Sequence, residues 1–153
     1  MYLLPNELEL YLHEHIPLSK AMEVTVIESG PDGVVLSAPL GPNINHRETV
    51  FGGSAAAVAT LAAWSVLHVR LREARMASRL VIQRNSMNYE RPIAGRFTAR
   101  ASVEDGREWE RFVRMLSRKG KSRMRVCAVL EYGGEVAGRF CGEFVALAGA
   151  GNR

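Results

Sequence analysis

The first residues alternate as a short amphipathic helix does. Leu8, Leu10, Tyr11 and Leu12 are apolar and Glu7, Glu9 and Glu14 polar, with Pro5 placed to open the helix and Pro17 to stop it. Two strands are predicted next, over 22–29 and 34–38, joined by the turn Gly30-Pro31-Asp32-Gly33. Residues 39–50 hold two prolines, two asparagines and a glycine, and predict a loop. The stretch GGSAAAVATLAAWSVLHVRLRE then predicts a helix from about 54 to 73. Its first four turns are apolar all round, which predicts burial on every side. Charge enters only after Val69, so His68 is expected at the wet end.

Four more strands are predicted, over 80–90, 95–104, 122–132 and 135–147. Between the second and third of these lies a small helix. On it Trp109, Phe112, Val113 and Leu116 form one apolar stripe, and Arg107, Arg111, Arg114 and Arg118 form a second, cationic one. Gly133-Gly134 predicts a two-residue hairpin turn. If Tyr132 pairs with Glu135, Cys127 falls opposite Phe140 and Cys141 faces the other side of the sheet. The two cysteines are therefore expected as reduced, packed side chains. In the strand 80–90, Arg84, Asn85, Ser86 and Asn88 interrupt a run expected to be buried or interfacial. They would bond across a dimer or line a ligand tunnel.

Composition changes this picture little. With 153 residues, 47% apolar and 24% charged, the chain suits one globular domain, 1–153, without internal repeats. The longest nearly apolar run, 55–67, is too short to span a bilayer, so no membrane association is expected. The N-terminal residues lack a basic n-region and a long apolar h-region; no signal peptide is read, and the expected location is cytoplasmic. No CxxC or HExxH spacing suggests a metal. Charge is more informative. Residues 1–45 carry one cation and six acids, and the remainder 19 cations and 10 acids, so a basic face awaits an acidic partner. Sign alone leaves nucleic acid, a phosphorylated cofactor and an acidic protein open.

Asn45-His46, the run Thr49 to Ser54 (TVFGGS), the alanine-rich segment to Trp64, Asn88 to Pro92 (NYERP) and Arg118 to Lys121 (RKGK) resemble the YiiD C-terminal, thioesterase-like family over nearly the whole chain. The resemblance implies an α+β hotdog fold, in which an antiparallel sheet wraps one long central helix. It implies a homodimer with sheets joined edge to edge, with a dimer of dimers as a larger form, and active sites at the subunit interface. It also implies thioesters of coenzyme A or acyl carrier protein as ligands. No cofactor is expected, because 4'-phosphopantetheine arrives as part of the substrate. In better-known hotdog thioesterases the motif begins His-Gly-Gly, and an Asp or Glu on the helix, seven residues after the second glycine, acts as base or nucleophile. Here those positions are Phe51 and Thr60.

A helix start carries unpaired N–H groups and a partial positive charge. Gly52-Gly53 lets a ligand reach that backbone with no Cβ in the way. A thioester carbonyl there would meet the N–H of Gly53 or Ser54, and Asn45 would add a side-chain donor; each such donor is worth roughly 2.7–4 kcal/mol of barrier. The plain alternative is a tight turn with Asn45 as a turn residue. Hydrolysis also needs a base or nucleophile, yet 54–69 contains no Asp, Glu or Cys. Thr60 reads most simply as a hydroxyl bonded to the Ala56 carbonyl. His46 lies in the loop beside Arg47 and Glu48, where a solvated or capping role competes with that of a base. His13, His15 and His68 read as structural.

Oxyanion donors without a base suit decarboxylation of a malonyl thioester, where the barrier lies in stabilising an enolate oxygen. An apolar wall of Phe51, Ala56 and Trp64 would also disfavour the substrate carboxylate. The resemblance points the same way, to malonyl-acyl carrier protein decarboxylases that supply acetyl primers for fatty acid synthesis. Hydrolysis of an acyl thioester is the alternative within enzymes, and a non-catalytic acyl-thioester-binding module the alternative outside them. Asn88 and Tyr89 are candidate pocket residues beside Gly52 and His46. From 107 to 125 there are eight cations and two acids. By the resemblance Arg118, Lys119 and Lys121 lie near the pantetheine mouth, with Arg111 and Arg114 extending a surface for the carrier or coenzyme A. The other reading is a solvated face. Nucleic acid fits less well, because Trp109 and Phe112 fall on the apolar stripe and not among the cations.

Overall fold

In a computed structural model, which describes residues 1–149, the order is α1 (Pro5–His15), α2 (Pro17–Ala21), β1 (Thr25–Gly30), β2 (Gly33–Ala38), a 3-10 turn (Gly41–Asn43), α3 (Gly52–Glu73), β3 (Ser78–Tyr89), β4 (Phe97–Ala101), α4 (Gly106–Lys119), β5 (Lys121–Tyr132) and β6 (Glu135–Ala148). The last four residues of the expected 1–153 domain lie outside the described residues. The strands form one six-stranded antiparallel sheet, in the order β1-β2-β4-β5-β6-β3. α3 lies across its inner face: a hotdog fold. By length and composition α3 could cross a bilayer, but 67% of its most apolar window is packed inside the protein.

Small side chains make this packing possible. Ala55, Ala59, Ala62 and Ala63 are at most 3% exposed and bring the helix backbone close to the strands, which present Leu36, Ala99, Ala128 and Phe144. Adding methylenes at such a contact costs about 1–3 kcal/mol. The expectation of burial on every side needs correcting. Ala56, Ala57, Thr60 and Trp64 are only partly covered, and form a stripe along α3 on the side toward β3.

α1 is tied to the first strand by side chains. The Val26 N–H donates to Glu9 Oε1 at 2.8 Å, and His13 Nε2 lies 2.7 Å from the Val24 carbonyl, which gives His13 a structural role. Pro17 ends one helix and also occupies the first turn of the next, where its missing N–H costs nothing. α4 starts at Asp105, whose carboxylate accepts the Arg107 N–H at 2.8 Å. It stops at Gly120, which takes the left-handed conformation at φ 72°.

The hairpin turn is placed as expected, with Gly133 and Gly134 both at positive φ and Tyr132 opposite Glu135. The register beyond it is not. Glu131 pairs with Val136 but Leu130 pairs with Gly138, so Ala137 is an extra, bulged residue. Its carbonyl accepts the N–H groups of Glu90 and Arg91. This one-residue shift brings Cys127 opposite Cys141 on the outer face, where they form a disulfide. The expectation of two reduced cysteines on opposite faces is thus overturned, because alternation carried through the hairpin could not register the bulge. Unreduced protein in denaturant should leave both cysteines unalkylated. Reduction should lower stability by about 3 kcal/mol, the chain-entropy value for a loop of this length, read as a drop in the urea midpoint. Full alkylation without reductant would contradict the pairing.

Candidate active site

The loop before α3 is organised by two asparagines. Asn43 is buried; its Nδ2 donates to the carbonyls of Met22 (3.0 Å) and Pro39 (2.8 Å), and its own carbonyl accepts the Phe51 N–H at 2.7 Å. Asn45 closes the tip. Its Oδ1 accepts the N–H groups of Arg47 (2.8 Å) and Thr49 (3.1 Å). Its Nδ2 donates to Thr49 Oγ1 at 2.9 Å, and at 3.4 Å to the Val50 carbonyl. The second of these bonds is long and weak, so one Asn45 N–H is available to a better acceptor. His46 stands exposed at the same tip, where no hydrogen bond fixes it among the described residues.

The loop delivers the chain to the first turn of α3. The first helical bond runs from the Ala55 N–H to the Phe51 carbonyl, so the N–H groups of Gly52, Gly53 and Ser54 precede the ladder. Phe51 is 58% exposed and folds its ring over Gly53, where a Cβ would come within 2.5 Å of the ring. Gly52 faces Tyr89, whose hydroxyl donates to the Gly52 carbonyl at 3.3 Å. A cleft of about 320 Å³ beside this turn is lined by Val50, Gly52, Ala55 and Tyr89 and, at its edge, by the charged Glu90 and Arg91. Phe51, Gly52, Gly53 and Tyr89 are therefore brought together. Asn88 lies in the β3–β6 ladder opposite Arg139 and is exposed.

The uncovered stripe of α3 continues from there. Thr60 Oγ1 donates to the Ala56 carbonyl at 2.7 Å, as the plain helical reading has it. Ala57, Thr60, Leu61 and Trp64 form one side of an apolar cavity of about 270 Å³, which Ile16, Leu18, Met22, Ile82 and Phe144 complete. No ionisable side chain lines it. Beyond Trp64 lies His68, only 4% exposed and thus not at a wet end. It stacks between Trp64, at 4.7 Å between centroids, and Tyr11, at 4.4 Å; Tyr11 in turn meets His15 at 4.2 Å. The packed N-terminal helix supplies the burial that a reading of α3 by itself missed. Burial, with the charge of Arg72 and then of His15, lowers the imidazole pKa to about 4. Burial likewise raises the Tyr11 hydroxyl, against the pull of Arg72. His68 Nε2 has no hydrogen-bond partner among the described residues.

Arg111, Arg114, Arg118, Lys119 and Lys121 are exposed and, among the described residues, form no ion pair. They sit on α4 and at the start of β5, close to the last turns of α3. The Arg70 guanidinium lies 4.6 Å from the centre of the Trp109 ring, and Ala74 shares a cleft with Arg114 and Arg118. A helix of 22 residues spans about 33 Å. Within one protomer the cations and Gly52-Gly53 therefore stand at opposite ends of α3. β3 links the two ends: it runs back along the helix from Leu80, whose carbonyl accepts Trp64 Nε1–H at 2.9 Å, to Tyr89 over Gly52. It is also an outer strand of the sheet. Arg84, Asn85, Ser86 and Asn88 are exposed on it, so within the protomer they neither are buried nor line a tunnel.

The sequence profile of a family described as "Putative thioesterase (yiiD_Cterm)" matches residues 5–148. Among solved structures, a protein of unknown function from Chlorobaculum tepidum is 28% identical, with 97% of this chain and 99% of that one covered and a TM-score of 0.91. A "putative thioesterase" from Shewanella oneidensis is 24% identical, covers 94% and 96%, and has a TM-score of 0.84. A protein from Pseudomonas aeruginosa described as "probable thioesterase" is 20% identical, covers 95% and 97%, and has a TM-score of 0.81.

The depressed His68 pKa has a consequence for stability. As pH falls from 6.5 toward about 4, the unfolded chain binds a proton here that the folded chain refuses. The contribution is thus complete above pH 6.5 and is lost toward pH 4, by on the order of 3 kcal/mol. Urea midpoints of the wild type should drop more steeply between pH 7 and 4.5 than those of His68→Phe. Parallel slopes in the two proteins would show that His68 does not titrate this way.

Proposed function

The chain belongs to the YiiD C-terminal thioesterase family and so handles acyl thioesters, and from that premise we propose that it decarboxylates a malonyl thioester to the acetyl thioester. The observation that carries the reading is a site with donors and no free base. Three backbone N–H groups open α3, and the apolar cavity farther along the helix has no carboxylate and no imidazole among its described lining residues. The one carboxylate lining the cleft beside Gly52, that of Glu90, is paired with Arg139 at 2.9 Å. His68 lies behind Trp64 with a pKa of about 4, and is a weak base at neutral pH.

The thioester oxygen rests on the N–H of Gly53 or Ser54 and takes the loosely held second N–H of Asn45. The bond between the α-carbon and the carboxylate breaks, and its electron pair moves into the enolate. CO₂ departs, and a proton from water returns to the α-carbon. Positive charge at the helix start and fixed donors stabilise the oxygen anion as it forms. Phe51 covers the carbonyl site, Tyr89 holds the Gly52 peptide, and Asn88 borders the mouth. Thr60 holds the water that returns the proton, through the lone pairs its bond to Ala56 leaves free. His46 contributes at the loop tip to substrate binding. Ala56 and Phe51 give the substrate carboxylate an apolar environment that it leaves by losing charge.

The active unit is a homodimer joined through β3, with a dimer of dimers as its larger form. Antiparallel pairing of two β3 edges would lay the Ser78 end of one protomer beside the Tyr89 end of its partner. The basic α4 of one subunit would then stand next to Gly52-Gly53 of the other, which reunites groups a single protomer separates. Arg111, Arg114, Arg118, Lys119 and Lys121 would receive an acidic acyl carrier protein or the phosphates of coenzyme A. The reaction supplies acetyl primers in the cytoplasm. Hydrolysis is the second reading, favoured by the names that the family and its structural relatives carry.

Asn45→Asp separates the donor from the loop. It keeps the oxygen that Arg47 and Thr49 require but removes both amide N–H groups. With malonyl-acyl carrier protein as substrate and intact mass as readout, the wild type should convert malonyl to acetyl carrier. The variant should remain folded by circular dichroism and lose about 10²–10³-fold in rate. Free carrier thiol as the product would establish hydrolysis, and an unchanged malonyl carrier would leave binding without catalysis.

A further inference from the structure

The uncovered face of α3 is one track divided in two. Ala57, Thr60 and Leu61 border the apolar cavity of about 270 Å³; His68, Leu71 and Arg72 border a second, of about 260 Å³. β3 forms the opposite wall of both, with Ile82 in the first and Ser78 to Val81 in the second. Trp64 is the α3 residue common to the two. Its indole is held from two directions. Nε1–H donates to the Leu80 carbonyl at 2.9 Å, which ties the ring across the track to β3. Its face stacks on His68, which is itself stacked on Tyr11 of α1. Turning the ring would break both the hydrogen bond and the stack.

The two sides of this wall differ in chemistry. On the side toward Gly53 every lining group is apolar except the Thr60 hydroxyl. On the far side stand Arg72, Arg79, Tyr11 and the unpartnered His68 Nε2. An acyl chain whose thioester carbonyl lies at the start of α3 would run along the apolar half and meet the indole plane eleven residues on from Gly53, about 16.5 Å along the helix. We propose that Trp64 is a specificity-determining wall, which ends the acyl pocket and excludes thioesters whose chains would have to pass it. This rests on the reading of the chain as an acyl-thioester protein, but not on which reaction it performs. A fixed wall discriminates strongly, because each methylene that fits or fails to fit an apolar pocket changes binding about 10–200-fold. Removing the indole joins the two cavities and opens the track to Arg72.

The test is equilibrium binding, independent of turnover. Affinities for acetyl-, hexanoyl-, decanoyl- and palmitoyl-coenzyme A would be measured by calorimetry on the full chain. The proteins are the wild type, Trp64→Ala, Trp64→Leu as a less drastic opening, and Trp64→Phe, which retains a ring. The wild type should bind the short members and reject the long ones. In Trp64→Ala and Trp64→Leu the ratio of palmitoyl to hexanoyl Kd should fall at least tenfold, whereas Trp64→Phe should stay near the wild-type ratio. An unchanged ratio in both opened variants, each folded by circular dichroism, would overturn the wall while leaving the acyl-thioester reading intact. Failure of the wild type to bind any member would overturn that reading itself.

Discussion

Ala55, Ala59, Ala62 and Ala63 bring the backbone of α3 onto the sheet, and that close contact decides where both ends of the helix lie. A bulkier face would hold the helix away from the strands, and the first turn would no longer stand beside β3. Because the helix lies close, Tyr89 reaches over Gly52 and Trp64 reaches the Leu80 carbonyl. The same contact leaves one stripe of the helix uncovered. The packing that stabilises the domain thus also produces a helix start bordered by the Phe51 and Tyr89 rings and an apolar track leading away from it.

Catalytic potential here resides more in the backbone than in side chains. The unpaired N–H groups of the first turn are a consequence of helix geometry, and glycine at 52 and 53 keeps them accessible. Asn43 and Asn45 anchor the loop that leads into them, and only one N–H of Asn45 is weakly committed. The only imidazole on the helix is buried and kept neutral. A reaction that must stabilise negative charge on oxygen is well served by this arrangement. One that must first activate water has less to draw on.

Much of this was legible in the sequence. Strand alternation, the alanine-rich run and the apolar stripe of α4 give the order of elements, and TVFGGS with the NYERP segment carries the resemblance to the family. Two things were not. Alternation has no term for a bulge, so Ala137 shifted β6 by one residue and brought together two cysteines expected to face apart. Helix periodicity describes one element at a time. It read the first four turns of α3 as covered on every side, although one stripe is open, and read His68 as wet, although Tyr11 from a helix more than fifty residues earlier stacks over it. The role of Asn43 was hidden for the same reason, since its partners, Met22 and Pro39, are close only after folding.

The proposed reaction is driven by stabilising an oxygen anion with no titrating base. Its most direct test is the pH dependence of kcat for malonyl thioester turnover between pH 6 and 8.5, with CO₂ and acetyl thioester measured together. A flat profile with equal amounts of both products is the expected result, because neither the substrate carboxylate nor any group in the cavity changes charge in that range. A rate that falls toward pH 6 along a single-proton limb, with free thiol as the product, would show that a base activates water, and would contradict the account.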